Sequence, residues 1–219
     1  MTDERARAKA LSVAAIRERL TGTGAPADPL SVVMPPELDG WPEPLQRRLA
    51  RDLKAAGVLI PIIAHRDGCT VLFTKRSPRM RYHAGQVSFP GGRMEPGDAD
   101  ILATALRETR EEVGIEPSIV EIAGFLPALP TVSGYAVTPI VGLVPSGTPI
   151  VPDPNEVERV FEVPLDFLLE PGNRRCSERE VYGERVPVSE YRYDAEHIWG
   201  ATASILILLS RALGIHEDR

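Results

Sequence analysis

The sequence predicts an α/β protein in which a mixed β-sheet has helices on both faces. Short apolar runs separated by turn residues recur between residues 58 and 163, which is typical of strands. Helical periodicity is found in two segments, residues 101–113 and residues 202–213, and the second is mostly apolar. We therefore expect the helix at 202–213 to lie buried against the sheet.

The chain is expected to consist of a main domain, residues 57–219, preceded by a helical extension, residues 1–56. Its 219 residues suit one domain with an extension better than two independent domains. The pattern of apolar residues changes at Gly57, from helical periodicity to the continuous apolar runs that are typical of strands. We expect the extension to pack on the main domain or, alternatively, to form the surface of a homodimer.

Two helices are predicted within the extension. Residues 5–20 alternate basic with apolar side chains, and a Pro- and Gly-rich loop follows them. In residues 42–56, Leu45, Leu49 and Leu53 are spaced four residues apart, which places them on one side of a helix. We expect these leucines to form a buried stripe.

Strands are predicted in order along the main domain. Their ranges are 58–64, 70–75, 86–89, 120–126, 136–144 and 156–163. A turn signal at residues 66–68 joins the first two strands into a hairpin, and a second hairpin is expected around Tyr182 and residues 186–193. The Pro-rich stretch at 145–154 predicts a loop that overhangs a site.

The helix at residues 101–113 has clear signals at both ends. Asp98 or Asp100 can cap its first turn, and Gly114 suits the left-handed position that follows a helix. Its spacing predicts a face that contacts the core, formed by Leu102, Leu106, Thr109 and Val113.

Three glutamates, Glu108, Glu111 and Glu112, lie in the last turns of this helix. At spacings of three and four residues they share one side of the helix and repel one another. The C-terminal end of a helix also disfavours anions, by roughly 0.3–1 kcal/mol each. Arg107 and Arg110 are the cations that the sequence supplies nearby. A bound divalent metal ion is the natural further compensation, and carboxylate oxygens suit Mg²⁺ or Mn²⁺.

Charge and composition exclude several classes of function. A net charge of −6 argues against a surface that binds nucleic acid. Cys69 and Cys176 form neither a disulfide framework nor a metal-ligand pair at short spacing, which predicts a reduced, cytoplasmic protein. The long apolar run at residues 203–209 is too short to span a bilayer, so we expect no membrane partner.

Residues 92–115 closely resemble the signature of the Nudix hydrolase family. That signature has a glycine, a spaced acidic residue, and then Arg-Glu-x-x-Glu-Glu-x-Gly followed by an aliphatic residue. Residues 107–115 match every fixed position, with Gly92 as the first glycine. Asp98 stands where the usual signature has Glu, and the gap that follows it is one residue longer.

A second motif lies just upstream and resembles that of the coenzyme A diphosphatase branch of the family. Residues 72–77 lead to Arg81 and then to the Phe-Pro-Gly-Gly segment at 89–92, and Phe73 departs from the Leu of the branch. The longer gap after the acidic residue also occurs in this branch. Similar segments downstream extend the resemblance over residues 58–213.

The resemblance implies a Nudix-type α/β/α sandwich and metal-dependent hydrolysis of a pyrophosphate. Glu108 and Glu112 correspond to the principal metal ligands, with Glu111 assisting in metal binding and catalysis. Arg107 would orient the carboxylates by ion pairing, and the carbonyl of Gly91 is a further candidate ligand. The implied cofactor is Mg²⁺ or Mn²⁺.

A basic cluster lies beside the paired glycines Gly91 and Gly92 and predicts a clamp for substrate phosphates. Its members are Lys75, Arg76, Arg79, Arg81 and His83. Coenzyme A carries a 3′-phosphate besides its pyrophosphate, and so needs more positive contacts than ADP-ribose does. A solvated strand end is the alternative interpretation of the cluster.

Glu156 follows the Pro-rich loop and is expected to supply either a further metal ligand or the catalytic general base. Glu158 is the competing candidate for this role. An ordinary acid at the edge of a strand is the alternative interpretation.

Three hypotheses of function result. The first is hydrolysis of the pyrophosphate bond of coenzyme A or acyl-coenzyme A, giving 3′,5′-ADP and 4′-phosphopantetheine. The second keeps this chemistry but takes ADP-ribose, NADH or another nucleoside diphosphate derivative. The third is a non-catalytic ligand sensor, which predicts a damaged set of glutamates that this chain does not have. The expected partner is a small nucleotide.

Overall fold

The computed structural model describes residues 11–215 of the chain. Within this range the helices are α1 (Val13–Leu20), α2 (Glu43–Leu49), α3 (Ile101–Val113), α4 (Leu165–Leu169) and α5 (Ala201–Ala212). The strands are β1 (Lys54–His65), β2 (Gly68–Arg76), β3 (Val87–Ser88), β4 (Gly91–Arg93), β5 (Glu121–Phe125), β6 (Leu129–Pro130), β7 (Tyr135–Pro145), β8 (Val157–Pro164), β9 (Arg174–Val181), β10 (Glu184–Tyr193) and β11 (Glu196–Trp199).

The strands form an eight-stranded mixed sheet and a second sheet of three strands. In the main sheet β1 is central, because it pairs in parallel with β7 and antiparallel with both β2 and β4. Strand β8 extends the sheet beyond β2, and β5 extends it beyond β7. The small sheet has the order β11-β10-β9. The predicted mixed sheet is confirmed.

Helices cover both faces of the main sheet, as the sequence predicted. On one face α3 packs through Ala105 and Val113 on apolar side chains of β1, β2 and β7. The opposite face carries the largest apolar cluster, to which α1, α4 and α5 contribute. The buried helix predicted at 202–213 is confirmed as α5, in which eight consecutive residues from Thr202 to Leu209 are buried. No helix within residues 11–215 combines the length and apolar character needed to cross a bilayer.

Helix α3 has the predicted ends, and its buried face includes the predicted one but is wider. Asp100 caps the first turn, accepting a hydrogen bond from the N–H of Ala103 at 2.7 Å, and Gly114 adopts the left-handed conformation with φ +73°. Of the predicted face, Thr109 and Val113 are fully buried, and Leu102 and Leu106 are partly buried and pack against the cluster of Leu59, Ala105 and Ile140. The fully buried positions that the sequence did not predict are Ile101, Thr104, Ala105 and Glu112. Gly57 allows α3 to lie close to β1, because a Cβ there would lie 2.6 Å from the carbonyl oxygen of Ile101.

The predicted extension is only partly helical where it is described. The helix predicted at 5–20 is present as α1, capped by Ser12, and residues 5–10 lie outside the described range. The helix predicted at 42–56 ends at Leu49, because Asp52 takes the left-handed conformation and Lys54 begins β1. Leu53 is therefore not part of a buried helical stripe.

Both helices of the extension contact the rest of the described chain. Ile16 of α1 is part of the large apolar cluster, and Leu45 and Leu49 of α2 pack on Val186 and Val188 of the small sheet. The division of the chain at residue 57 and the homodimer stay proposals.

The hairpin predicted around Tyr182 is confirmed as β9 and β10, although β9 itself was not predicted. Residues 174–181 read Arg-Arg-Cys-Ser-Glu-Arg-Glu-Val, a polar composition without a strand-like apolar pattern. None of these residues is buried, so the strand is held by its backbone pairing with β10.

Candidate active site

The site is built where the paired glycines of β4 pass beneath α3. Gly91 and Gly92 pair with Val58 and Gly57 of β1. A Cβ on Gly92 would lie 2.5 Å from the carboxyl carbon of Glu108, and a Cβ on Gly91, whose φ is +148°, would lie 2.4 Å from the carbonyl oxygen of Gly57. Glycine at position 91 therefore lets this strand lie against the backbone of β1, and glycine at position 92 leaves room for the Glu108 carboxylate.

Glu112 is the most buried acidic side chain of the site. It is 3% exposed, its Oε2 accepts a hydrogen bond from the N–H of Gly91 at 3.3 Å, and Arg76 Nη1 lies 3.4 Å from its Oε1. Burial raises the pKa of Glu112 to about 8, and repulsion from Glu108 and Glu156 adds to this; Arg76 and the Gly91 N–H oppose it without restoring the usual value. The carboxylate form of Glu112 thus lacks sufficient positive charge around it.

Glu108 lies one turn earlier on α3, next to Gly92. Its pKa is raised, chiefly by burial, while Arg107 acts in the opposite direction through a hydrogen bond of 2.9 Å from Nη1. Glu111 differs from both, since its side chain is 53% exposed and contacts Nη1 of Arg107 at 3.0 Å. The three predicted glutamates therefore form a close pair, Glu108 and Glu112, with Glu111 at the rim.

Arg107 connects the helix to the loop before it. Its Nε and Nη2 bind the two carboxylate oxygens of Asp98 at 2.8 and 3.0 Å, and its Nη2 also donates to the carbonyl oxygen of Arg93 at 3.3 Å. Hydrogen bonding to Arg107 holds the pKa of Asp98 well below its usual range. Asp98 also accepts hydrogen bonds from the hydroxyl of Thr104 and the N–H of Glu95, so its role is to fix Arg107.

The predicted basic clamp is divided by the strand that carries it. Arg76 reaches Glu112 on the α3 side, whereas Lys75 points to the opposite face, where its Nζ lies 3.8 Å from Glu196 of β11. Alternating side chains of a strand face opposite ways, which explains the separation. Arg81 lies in the loop after β2, with its guanidinium 5.3 Å from the ring centre of Tyr82. The structure brings Arg76, but not Lys75, to the glutamates.

Glu156 lies at the end of the Pro-rich loop, near the glutamate pair. Its charge contributes to the raised pKa of both Glu108 and Glu112, and its carbonyl oxygen accepts the N–H of Ser77 at 2.8 Å. The loop itself closes the end of α3, because Asp153 N–H donates to the carbonyl oxygen of Glu112 at 3.0 Å. This contact satisfies a carbonyl that the helix leaves unpaired.

The donor set suits a divalent cation that is shared with a ligand. Within residues 11–215, no three His, Cys, Asp or Glu side chains converge closely enough to enclose a metal by themselves. Glu112 is nevertheless a buried carboxylate and Glu108 a partly buried one, and the pKa values of both are raised although each lies near an arginine. Mg²⁺ is commonly held by one or two carboxylates together with water and substrate phosphates. Glu108 and Glu112 therefore fit Mg²⁺ or Mn²⁺, while the predicted participation of Glu111 and of the Gly91 carbonyl stays a proposal.

Comparison with known proteins gives consistent matches. Residues 53–195 match the model of the NUDIX domain. A Photorhabdus laumondii protein named Uncharacterized Nudix hydrolase NudL is 42% identical over 172 residues, 78% of this chain and 91% of that protein. Its namesake from Pectobacterium atrosepticum is 44% identical over 165 residues, 74% of this chain and 84% of that protein. The solved structure of a C. elegans Ap4A hydrolase binary complex is 20% identical, with a TM-score of 0.45, over 51% of this chain and 80% of that one.

Proposed function

The chain belongs to the Nudix hydrolase family, and from this premise we propose that it hydrolyses the pyrophosphate bond of coenzyme A or an acyl-coenzyme A. The products would be 3′,5′-ADP and 4′-phosphopantetheine or its acyl derivative. Nudix hydrolases use divalent cations and act on small nucleotide derivatives. The choice of coenzyme A within this class rests on the second motif, residues 72–92.

The observation that carries the catalytic part of the proposal is the environment of Glu112. With a pKa raised to about 8, the ionised form of the Glu112 side chain is disfavoured in the chain without a bound cation. The ionised form of such a group is stabilised most when a divalent cation and an anionic substrate bind together. When bound by Glu108 and Glu112, Mg²⁺ or Mn²⁺ would neutralise the pyrophosphate and lower the pKa of water.

The residues of the chain have distinct roles in this proposal. Arg107, fixed by Asp98, keeps the carboxylate of Glu108 oriented through its Nη1 contact at 2.9 Å. Arg76 lies beside Glu112 and supplies a guanidinium for an oxygen of the pyrophosphate. The glycines Gly91 and Gly92 leave room for the phosphates beside the helix.

Glu156 is the general base of the proposed reaction, with Glu111 assisting at the rim. A water molecule gives a proton to the carboxylate of Glu156, and its oxygen attacks one phosphorus in line. The bond from that phosphorus to the bridging oxygen breaks, and the bridging oxygen leaves on the other phosphate. Each product then carries one phosphomonoester at the former pyrophosphate.

Lys75 and Arg81 have weaker support as substrate contacts than Arg76. Lys75 is paired with the buried Glu196, and Arg81 is carried by a loop. We propose that Arg81 contacts the substrate from this loop. The prediction that Lys75 also contacts the substrate is not retained, because its ion pair with Glu196 lies on the opposite face of β2. The cytoplasm is the compartment we propose, because Cys69 and Cys176 are both free thiols.

Parallel turnover assays test this proposal. Coenzyme A, acetyl-coenzyme A, dephospho-coenzyme A, ADP-ribose and NADH are each incubated with the full chain in Mg²⁺ and in Mn²⁺. The proposal predicts the highest kcat/KM for the coenzyme A compounds and cleavage at the pyrophosphate, identified by 3′,5′-ADP as product. Preferred turnover of ADP-ribose or NADH would replace the substrate assignment. Binding without turnover in both metals would instead indicate a ligand sensor.

A further inference from the structure

A second polar pocket lies at the beginning of β1, apart from the glutamate site. Its volume is about 470 Å³, and it is formed by the end of α2, the turn between β6 and β7, and the turn between β9 and β10. The residues that matter chemically are Arg48, Arg51, Asp52, Ser133 and Tyr182. None of them belongs to the proposed catalytic machinery.

Arg48 is held in place at this pocket by an aromatic ring. Its guanidinium carbon lies 3.8 Å from the ring centre of Tyr182, within the range of a cation–π contact. Tyr182 is in turn fixed by its hydroxyl, which donates to the carbonyl oxygen of Val132 at 2.7 Å. The stacked guanidinium keeps its N–H donors available at its edge.

Arg51 is a second cation at the pocket without a carboxylate partner. In the part of the chain that the structure describes, its side chain forms no ion pair, whereas its neighbour Arg47 is paired with Glu43. Asp52 is the single acidic residue of the lining, so the two arginines leave a net positive charge. The pocket is therefore locally positive in a chain whose net charge is −6.

The turn at residues 131–134 adds neutral donors to the same wall. The hydroxyl of Ser133 lies 3.0 Å from that of Thr131, and the N–H of Gly134 donates to the carbonyl oxygen of Thr131 at 3.0 Å. Among residues 11–215, the N–H groups of Val132 and Ser133 have no backbone hydrogen-bond partner. The turn is anchored to β1, because the N–H of Lys54 donates to the carbonyl oxygen of Gly134 at 3.1 Å.

We propose that this pocket binds a phosphomonoester group. Guanidinium groups contact phosphate oxygens through paired N–H donors, and hydroxyl and turn N–H groups complete such sites. Two sources carry this chemistry: the 3′-phosphate of a substrate that also occupies the glutamate site, which rests on the proposed function, or a separate small phosphate ester. The separation between this pocket and the glutamate site can be read along β1. Lys54, next to the pocket, precedes Gly57, which pairs with Gly92 of the glutamate site, by three residues, or about 10 Å.

Titration of the full chain without added metal tests the pocket. The probes are inorganic phosphate and 3′,5′-ADP, followed by NMR chemical shifts and calorimetry. We expect Arg48→Ala and Arg51→Ala each to weaken binding of 3′,5′-ADP about tenfold, since each removes a charge-assisted contact. Arg47→Ala is the matched control and should leave binding unchanged, because Arg47 is an exposed neighbour that does not line the pocket. Absence of binding, or binding that neither pocket variant weakens, would overturn the proposal.

Activity measurements identify which source is bound. If the pocket holds the substrate's own 3′-phosphate, Arg51→Ala lowers kcat/KM for coenzyme A about tenfold and leaves dephospho-coenzyme A unchanged. If it holds a separate ester, the variant loses 3′,5′-ADP binding while both kcat/KM values stay constant. Arginine-dependent binding in a chain that does not hydrolyse coenzyme A would support the pocket and refute the proposed substrate.

Discussion

Glu112 on α3 and Glu190 on β10 are buried to a similar degree, at 3% and 5% exposure, but their surroundings differ sharply. Glu190 accepts a hydrogen bond from the Ser177 hydroxyl at 2.9 Å and lies 2.8 Å from His197 Nε2 and 3.3 Å from Arg192 Nε. Burial tends to raise the pKa of Glu190, but these partners outweigh it and lower the pKa to about 2. Glu112 has one arginine at 3.4 Å and a pKa raised to about 8.

A third buried carboxylate, Glu196, resembles Glu190 rather than Glu112. It lies between Lys75 of β2 and Arg159 of β8 and forms ion pairs with both. It thereby ties β11 of the small sheet to the edge of the main one. Glu190 and Glu196 are thus each paired with at least two cationic side chains, whereas Glu112 has Arg76 alone at 3.4 Å. Burial and a raised pKa are not unique to α3, since burial also raises the pKa of Glu37; Glu112 differs in lying beside a second carboxylate, Glu108, whose charge adds to the shift.

The largest effect is expected from removing the charge at the α3 pair. Glu112→Gln and Glu108→Gln should each lower kcat/KM for coenzyme A by about 10²–10³-fold, the scale seen when one electrostatic element of a catalytic site is lost. Steady-state assays in Mg²⁺, with circular dichroism as the check of folding, measure this. Glu190→Gln, if its fold is retained, serves as the control and should keep most activity. Near-wild-type turnover in both α3 variants would contradict the assignment.

The pH dependence of stability should differ in sign between the two regions. Because the folded pKa of Glu112 is raised from 4.5 to about 8, its contribution to the stability of the metal-free chain is full below pH 4.5 and is lost as the pH rises through 8. Because that of Glu190 is lowered from 4.5 to about 2, its contribution is full above pH 4.5 and is lost as the pH falls through 2. Each slope is at most about 1.4 kcal/mol per pH unit.

Urea unfolding in EDTA between pH 3 and pH 9 measures these slopes. We expect Glu112→Gln to flatten the alkaline side of the profile and Glu190→Gln to flatten the acid side. Equal profiles for the wild type and Glu112→Gln would show that Glu112 ionises freely in the folded chain.

Glu190→Gln should also destabilise the chain at neutral pH. Removing one member of a buried charged network costs about 3–5 kcal/mol, and the partly exposed arginines around Glu190 reduce this to about 2 kcal/mol. Glu112→Gln in the absence of metal should have no such cost, because with a pKa of about 8 the Glu112 side chain is mostly protonated at pH 7 and the neutral amide replaces a neutral acid. The free energies of unfolding at pH 7 test the contrast, and an equal loss in both variants would argue against it.

A smaller effect is expected at Asp98. Asp98→Asn removes the two-oxygen contact that fixes Arg107, so the carboxylate of Glu108 is less well oriented. We expect kcat to fall about tenfold with little change in KM. Asp98→Glu is the conservative control, since the usual family signature has Glu at this place, and it should retain most of kcat. A rise in KM with kcat unchanged would instead assign Asp98 to substrate binding.

The elements that could be predicted from the sequence are those whose own residues carry an apolar pattern or a signal for the end of a helix. The periodicity, the acidic cap and Gly114 predicted the helix α3, and the apolar runs predicted β1, β2 and β7. β9 was missed because its polar side chains carry no pattern, and the end of α2 was misplaced because pairing of Lys54 with Tyr135 overrides the helical spacing of Leu53.

The site was predictable to the extent that it depends on spacing along one helix. The pairing of Glu108 with Glu112 follows from their separation by one turn, and the paired glycines indicated a close approach. The separation of Lys75 from Arg76 follows from strand alternation once β2 is placed. The partners of Asp98 and Glu196 lie on other elements, so only the fold reveals them.

Titration of Mn²⁺ into the metal-free chain measures directly whether Glu112 binds a divalent cation. Calorimetry at pH 7 on the wild type, Glu112→Gln and Glu190→Gln compares the carboxylate that has few cationic partners with the one that has several. We expect Glu112→Gln to weaken Mn²⁺ binding at least about tenfold and to release fewer protons on binding, while Glu190→Gln binds as the wild type does. Unchanged Mn²⁺ affinity in Glu112→Gln would show that this glutamate does not bind the cation.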